Sequence, residues 1–493
     1  MRKLEESQSI NRRQILQVGV GIAGFTIAPL LAACAAQPAP SSPAAQSAAP
    51  APTKAAAPTT QVPAGTPPAK SGTTVVKMQD RGDDYIFKLM RSQFAEFQKE
   101  QPGIQVEFDD TTGNFFQKLQ LQIASGTPPD VYFDSATDNG ASYRLGIAEA
   151  VDDYLRSTSD FSEDKFDKNS WFALTYAGKR WGLPWDSGGC GIYFNIDLFN
   201  EAQVPLPDPT KPMSWDQLLT TAQKLTIDLN GKRADQGGFD PTRVKQFGFS
   251  GSGIETWGAM QFIFGNGGEP LVGSVGSPPT QHQVPFDDDA VVAGIQWLAD
   301  LVHKYHVMPD PTFTQSTPIT FANKTIAMNY DGVWALGRAN QSGVHYGVFP
   351  FPTGKVPTSY GHYSPLAMVK SSKVKDATWT WMYWACLSEK GQSMLVDAGQ
   401  MQPMRKSLFQ RFLDGKGGPD KQYRQVFVDQ LTSPNFRAVG DKVGSYYDSY
   451  ALEWNQILTP IFDQVFHGTK AMKDVAKDTR QKLETLLHTG KVT

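Results

Sequence analysis

The chain contains 493 residues, of which 40% are hydrophobic and 19% charged, and this composition is typical of a globular protein with two or three domains. The formal net charge of −3 supplies no basic field for nucleic acid or for an anionic membrane surface. These values argue against nucleic-acid binding and leave a sugar or another small solute open.

The first 33 residues have the pattern of an export signal. Arg12 and Arg13 precede an uncharged, apolar run over residues 18–33, which is too short for a comfortable transmembrane helix. The phrase NRRQIL resembles a twin-arginine signal, and a general export signal with two basic residues explains it equally well. We therefore predict a signal peptide over residues 1–33 and leave the export route open.

A lipid anchor and a linker are predicted next. The phrase LAAC, ending at Cys34, resembles the lipobox of bacterial lipoproteins, in which the cysteine becomes the lipidated first residue; the alternative is cleavage with Cys34 incidental. Residues 35–72 contain 13 Ala, 9 Pro and no aromatic residue, so they cannot repay the entropy of ordering. As polyproline II, at ~3.1 Å per residue, they would reach on the order of 100 Å. Residues 34–72 are therefore predicted to be a disordered, lipid-anchored linker.

The folded body begins with alternating strands and helices, and the predicted helices end at Pro102-Gly103 and at the SGTPP run over residues 125–129. The predicted elements are a strand at 73–78, a helix at 86–97, a strand at 104–108, a helix at 115–124 and a strand at 130–133. This order predicts an α/β lobe with a largely parallel sheet, in which ligands bind beyond the carboxyl ends of strands. Four candidate ligand-binding residues follow such ends: Asp80, Arg81, Asp134 and Ser135.

The next segment is rich in glycine and aromatic residues. Two short strands are predicted at 181–184 and 191–194, joined by a loop that holds Asp186. Ser214 and Gln217 form a capping-box pattern, which predicts a helix beginning directly after the serine.

Further along the chain, acids and histidines admit a metal hypothesis. Asp287, Asp288 and Asp289 precede a predicted helix, where carboxylates satisfy free amides and the helix dipole, and we prefer that interpretation to a metal site. His303 and His306 lie one turn apart on the same predicted helix without a third ligand, and we expect them to face solvent. No metal site and no cofactor are predicted.

The remaining elements complete the predicted body. They are a strand at 247–249, a loop and helix over 251–268, a strand ending in a glycine turn and a helix over 321–334, strands at 346–351 and 362–369, a helix at 375–387 and a mostly helical region over 407–488. Cys190 and Cys386 are predicted to be buried free thiols rather than a disulfide.

Several phrases in this order resemble one known family. LQIASGTPPDVYF, GKRWGLPW, YFNIDLF and SWDQL resemble extracellular solute-binding proteins of the maltose-binding type, and the resemblance covers nearly the whole body from about Thr73. It implies a periplasmic-binding-protein-like fold, with two α/β lobes joined by a three-segment hinge and a ligand bound between them. The predicted N-terminal lobe is 73–177 plus 360–400, and the C-terminal lobe is 178–359 plus 401–493.

The resemblance also suggests ligand contacts. Glu255 and Trp257 match by spacing an acid and an aromatic residue that the family places against its sugar, and Trp334 matches a stacking tryptophan. Asp134 stands where the maltose-binding type has an aromatic residue, which puts long maltodextrins in doubt. Alternatively, Glu255 is a solvated loop acid, and Trp257 and Trp334 pack in the core. The full predicted set is Asp80, Arg81, Asp134, Ser135, Asp186, Glu255, Trp257, Trp334 and Tyr363.

The predicted function is binding rather than catalysis, because common phosphate-loop, HExxH, GxSxG and CxxC motifs do not occur. Aromatic residues at expected loop positions favour a sugar over a polyamine or peptide: Trp185, Trp257, Trp334 and Tyr363. The resemblance implies an extracytoplasmic, lipid-anchored, monomeric protein that delivers a mono- or oligosaccharide to the membrane subunits of an ABC importer. The alternatives are a cell-surface glycosidase using Asp134 and Asp186, a binder of a non-sugar solute such as a polyamine, and an adhesive surface lipoprotein.

Overall fold

The computed structural model describes residues 72–492 except for 81–83, 110–114, 135, 170–173, 177, 252–257, 274–278, 311–320, 417 and 439–449. The described residues belong to one unit, assigned to residues 65–493. The predicted signal peptide, most of the linker and Cys34 lie outside the described residues. So do four candidate ligand contacts: Arg81, Ser135, Glu255 and Trp257.

Strands and helices alternate through the first part of the described chain, and helices dominate its end. The helices are α1 (Asp84–Glu100), α2 (Phe115–Ala124), α3 (Ala136–Arg144), α4 (Asp152–Ser157), α5 (Ile196–Ala202), α6 (Trp215–Leu225), α7 (Ala259–Gly265), α8 (Asp289–His303), α9 (Leu336–Gln341), α10 (Lys375–Leu387), α11 (Glu389–Asp397), α12 (Phe409–Leu413), α13 (Lys421–Thr432), α14 (Ala451–Phe466) and α15 (Met472–Thr489). The strands are β1 (Thr74–Gln79), β2 (Ile104–Asp109), β3 (Val131–Phe133), β4 (Thr175–Tyr176), β5 (Lys179–Arg180), β6 (Leu183–Asn195), β7 (Ile227–Asp228), β8 (Val244–Gly251), β9 (Ile326–Gly332), β10 (Tyr346–Phe349), β11 (Ser359–Met368) and β12 (Phe436–Ala438).

A single ten-stranded sheet runs through the described body. Its order is β2-β1-β3-β11-β6-β9-β8-β7, with β10 beside β6 and β12 beside β11, while β4 and β5 form a separate hairpin. Strand β1 is parallel to β2 and β3, and β8 is parallel to β9, as expected where helices connect successive strands. Strands β11 and β6 run antiparallel to their neighbours in the middle of this order.

Strand β6 is one continuous element, so the expectation of two short strands and a loop is wrong. All 13 of its residues are buried. Its first part, up to Gly189, pairs with β11, and its second part, from Cys190, pairs with β9. The presumed loop residues therefore find backbone partners, which overrides the local turn signal of the glycines.

The glycines of β6 serve close packing. A Cβ at Gly188 would collide with Val333, one at Gly189 would lie 2.8 Å from Cβ of Gln430, and one at Gly191 would lie 2.9 Å from Val348. Distances below 3.0 Å are not tolerated between carbon atoms, so neighbouring segments can lie against this strand only because side chains are absent.

Several predicted elements are confirmed. The helices expected at 86–97, 115–124 and 375–387 correspond to α1, α2 and α10. Ser214 and Gln217 form the predicted capping box at the start of α6, with reciprocal bonds of 3.1 and 2.8 Å. The apolar face predicted in the C-terminal region is buried on α14 and consists of Trp454, Ile457, Leu458, Ile461 and Phe462.

Two expectations at helix α8 need correction. Asp288 at the N-cap and Asp289 in the first turn lie at the helix N-terminus as expected, but Asp288 makes no side-chain hydrogen bond to the helix, and Asp287 instead pairs with Arg480 at 3.2 Å. His303 is half-buried, with Nε2 2.6 Å from the Phe466 carbonyl oxygen, and His306 lies beyond the helix end in a left-handed conformation (φ 53°). The two histidines therefore do not form a solvent-facing pair on one helix.

The cysteine prediction is confirmed, because Cys190 and Cys386 are free and buried. Burial raises the pKa of the Cys386 thiol well above its ordinary value. Within the described ranges, no helix is long and apolar enough to span a bilayer, and no group of three or more His, Cys, Asp or Glu side chains is placed to hold a metal ion.

Candidate functional site

Two predicted carboxylates follow neighbouring parallel strands. Asp80 follows β1 and Asp134 follows β3, and both side chains have no exposed surface. The Asp134 amide donates to the Pro365 carbonyl oxygen at 2.8 Å, and the Ser142 hydroxyl donates to the Asp134 carboxylate at 3.0 Å. Asp134 is therefore held between β11 and α3, at the sheet edge that sequence analysis selected.

Trp334 lies where β9 ends. The turn Val333–Ala335 follows the strand, and the indole is half-buried against the core. Its ring centroid lies 5.8 Å from that of His362, in an edge-to-face arrangement of 68°. A Cβ at Gly332 would collide with the indole, so the Asp–Gly pair before the tryptophan allows this approach.

Asp331 fixes the orientation of the indole. Burial raises the pKa of Asp331 to about 6, against the opposing effect of hydrogen bonds from the Gly332 amide at 2.8 Å and from the Trp334 side chain. Arg338 also favours the charged carboxylate, and its guanidinium donates to the Trp334 carbonyl oxygen at 3.1 Å. Asp331 thus bonds the side chain of the half-buried tryptophan, and Arg338 bonds its backbone.

Asp186 lies inside β6 and is 7% exposed. One carboxylate oxygen accepts from the Ser364 amide at 2.8 Å, and the other accepts from the Gln400 side-chain amide at 3.1 Å. The carboxylate is therefore used by the protein itself at the point where β6 meets β11.

A four-residue part of β11, from His362 to Pro365, brings the predicted residues together. His362 contacts Trp334, Ser364 bonds Asp186, and Pro365 bonds Asp134. Candidate residues separated by up to 200 positions in the sequence therefore converge on one stretch of strand.

Two of the predicted aromatic residues do not occupy loops. Trp185 and Tyr363 lie within β6 and β11, and neither has exposed surface. The Trp185 indole donates to the Gln93 side-chain oxygen at 2.8 Å, as a core tryptophan does. Only Trp334, among the described members of the predicted aromatic set, is partly accessible.

Sequence reasoning missed several residues of this region. Arg338 lies 4.9 Å above the Tyr85 ring, and the Tyr85 hydroxyl donates to the Ala398 carbonyl oxygen at 2.5 Å. The Gly337 amide donates to the Gly399 carbonyl oxygen at 3.1 Å. These contacts connect α9 to α1 and to the loop after α11, and no local sequence pattern indicates them.

A second group of contacts joins α3 to α14. Arg144 lies 2.7 Å from the Glu453 carboxylate and 4.5 Å above the Tyr450 ring. Both charged side chains are about one-quarter exposed, at 26% and 21%.

Two α/β lobes connected through β6 and β11 define the class of periplasmic solute-binding proteins. The chain shares this fold with an ABC substrate-binding protein of Listeria monocytogenes solved in complex with cycloalternan, at a TM-score of 0.72 and 19% identity over 84% of this chain and 99% of that chain. The family model of the bacterial extracellular solute-binding proteins matches residues 86–392, and the chain belongs to this family.

Curated relatives match more than half of the chain. A binding protein of Brucella abortus (strain 2308) is 25% identical over 297 residues, which are 57% of this chain and 64% of that protein. The maltotriose-binding protein of Pyrococcus abyssi (strain GE5 / Orsay) is 20% identical over 303 residues, which are 60% of this chain and 59% of that protein. The chain therefore spans less than two-thirds of the length of each relative.

Proposed function

We propose that the protein binds a mono- or oligosaccharide between its two lobes and delivers it to the membrane subunits of an ABC importer. The observation that carries this proposal is the half-buried Trp334 at the end of β9, held by Asp331 and Arg338 beside the crossing strands. A flat aromatic face packs against the C–H face of a sugar, while neighbouring polar groups bind its hydroxyls. The names of relatives that bind maltotriose or cycloalternan support a carbohydrate ligand.

The proposed lobes are residues 73–177 plus 360–400 and residues 178–359 plus 401–493. The change of partner within β6, from β11 to β9 between Gly189 and Cys190, supports a division into two lobes and makes β6 itself the first crossing. The second crossing then precedes β11, and the third includes Gln400 after α11. Contacts made to both lobes exist only when the cleft is closed, so ligand binding shifts the lobes toward closure.

We also propose that this protein has no enzymatic activity. The rival glycosidase pair requires two carboxyl groups that face a substrate. Asp134 instead accepts from Ser142, and Asp186 accepts from Ser364 and Gln400. This use of the carboxylates inside the protein supports binding over hydrolysis.

The proposal includes an extracytoplasmic location and a lipid anchor at Cys34. The family description supports the location, and the predicted lipobox and linker support the anchor. The protein is proposed to act as a monomer at the membrane surface.

Calorimetry with the full chain tests the ligand class. Maltotriose, mannotriose and a monosaccharide form the carbohydrate panel, and spermidine is the non-sugar comparison. We expect at least one carbohydrate to bind with a dissociation constant in the micromolar range or below, which corresponds to about −8 kcal/mol. Tight binding of spermidine with no response to any carbohydrate would reverse the assignment.

A further inference from the structure

The side chain of Asp186 joins the first and third segments that connect the proposed lobes to β11, the strand that follows the second segment. It belongs to β6, and its two carboxylate oxygens accept from Ser364 on β11 and from Gln400 in the loop after α11. The side chain is 7% exposed, so these bonds are shielded from water. One carboxylate therefore links segments that lie 178 and 214 positions further along the chain.

The backbone explains why a side chain is needed here. The β6–β11 ladder shifts its register between Ser364 and Pro365, and beyond the shift Pro365 lies opposite Pro184. Proline has no N–H, so this pair of residues cannot exchange ladder hydrogen bonds. The Asp186 carboxylate supplies the acceptor for the Ser364 amide beside this gap in the ladder.

A second glutamine strengthens the same connection. The Gly189 amide donates to the Gln402 side-chain oxygen at 2.9 Å, and the Ser187 hydroxyl donates to the Gln402 carbonyl oxygen at 3.3 Å. The first and third connecting segments are therefore joined on both sides of Gly188. Both glutamines are buried, so these bonds also lie in a region of low dielectric constant.

We propose that Asp186 is a positioning residue of the hinge, rather than a ligand contact, and that it sets the angle between the lobes before any ligand binds. The proposal rests on the two-lobe binding function proposed above. The role requires two hydrogen-bond acceptors at the crossing and no contact with solute. Losing both acceptors releases the β6, β11 and post-α11 segments from one another and lets the lobes sample other angles.

Two substitutions distinguish a role of Asp186 that depends on its hydrogen bonds from a role that depends on its negative charge. Asp186→Ala removes both acceptors and leaves the Ser364 amide buried without its partner. Asp186→Asn keeps an oxygen for Ser364, and its new NH₂ group faces Gln400. The Gln400 side-chain oxygen is buried without a hydrogen-bond partner in the described structure, so a turn of the Gln400 amide lets it accept from the asparagine. We therefore expect asparagine to rescue what alanine loses.

The test measures the distance between the lobes without ligand. Nitroxide labels are placed on the full chain carrying Cys34→Ala, Ala95→Cys on α1 and Lys224→Cys on α6, two exposed positions assigned to different lobes. Cys190 and Cys386 are buried and stay unlabelled. Asp228→Ala is the matched control, because Asp228 is also a buried carboxylate and accepts from Asn230 and Lys232 amides within one lobe.

We expect Asp186→Ala to shift or broaden the ligand-free distance distribution by several ångström, and Asp186→Asn to match the wild type. Asp228→Ala should lower the melting temperature and leave the distances unchanged. The proposal is overturned if Asp186→Ala keeps the wild-type distribution, if asparagine behaves like alanine, or if the control shifts the distances equally. These distances are measured without ligand, so a protein that bound no carbohydrate would refute the proposed function and still decide the role of Asp186.

Discussion

At the scale of single residues, the fold shifts the pKa values of Asp331 and Asp228 in opposite directions. Burial raises the pKa of Asp331 to about 6. For Asp228, burial also acts to raise the pKa, but hydrogen bonds from the Asp240, Lys232 and Asn230 amides outweigh it and lower the pKa below its ordinary value. The native state therefore holds a proton on Asp331 over a pH range in which the unfolded chain has lost it, and the reverse applies to Asp228.

The pH dependence of stability should distinguish these two residues. As pH rises from about 4 to 6, the native state retains the Asp331 proton longer than the unfolded state, so this group's contribution to stability falls. Asp331→Asn removes that loss, and we expect its melting temperature to gain on the wild type between pH 4 and pH 7. Asp228→Asn should lose stability relative to the wild type as pH rises from below the lowered pKa of Asp228 to the ordinary aspartate value, and the deficit should stay constant at higher pH. If the difference in melting temperature between Asp331→Asn and the wild type does not change with pH, the raised pKa of Asp331 is contradicted.

The accessible tryptophan gives a second prediction at this scale. Loss of one sugar-stacking ring removes about 1–3 kcal/mol, so Trp334→Ala should weaken ligand binding about tenfold or more while keeping the ligand-free melting temperature near that of the wild type. Trp381→Ala is the control, because Trp381 is fully buried and packs 5.0 Å from Phe94. The control should unfold several degrees lower and bind normally once folded. If Trp334→Ala shows the behaviour expected of the control, the indole is core rather than site.

At the scale of elements, segments whose apolar residues recur at regular spacing could be predicted from sequence, and segments without such spacing could not. Helix α1 repeats its apolar residues at helical spacing, and its position was predicted well. Strand β6 was misread because its glycines are local turn signals, whereas their actual role is close packing against distant segments. The site shows the same division. Asp331, Gly332 and Trp334 form a local phrase, but the partners His362 and Gln400 are brought in by the fold alone.

The close packing on β6 can be tested with one methyl group. Gly188→Ala places a Cβ against Val333, and overpacking of this kind costs about 1–3 kcal/mol, so the free energy of unfolding should fall by that amount. Gly237→Ala is the control, because nothing lies within 4 Å of a Cβ at that position and the backbone there is not left-handed. The control should be neutral in a denaturant titration. If both substitutions change the free energy of unfolding equally, close contact between position 188 and the Val333 side chain is contradicted.

At the scale of the whole molecule, the fold and family could be predicted from sequence because ordered phrases extend over the body, and the family match over residues 86–392 confirms that resemblance. The membrane attachment remains a prediction, because Cys34 and the linker lie outside the described residues. It rests on the resemblance to a lipobox and on a composition that cannot form a core.

Fractionation of cells tests that attachment. We expect wild-type protein in the membrane fraction and Cys34→Ala in the soluble fraction, because one residue carries the predicted lipid. Cys190→Ala serves as the control, since this buried thiol is distant in sequence from the predicted anchor and should leave partitioning unchanged. Membrane partitioning that persists in Cys34→Ala would refute the lipoprotein prediction.

The position of β11 has a consequence for the order of folding during synthesis. Strand β3 is complete once residue 133 leaves the ribosome, but its antiparallel partners Leu366 to Met368 emerge more than 200 residues later. The first part of β6 also pairs with β11, so it too lacks this partner until β11 has been synthesised. The inner edge of the N-terminal sheet therefore stays unpaired for much of translation, and an unpaired edge strand invites aggregation. A nascent chain stalled before residue 359 should remain sensitive to protease in its first lobe, and one stalled after residue 400 should resist.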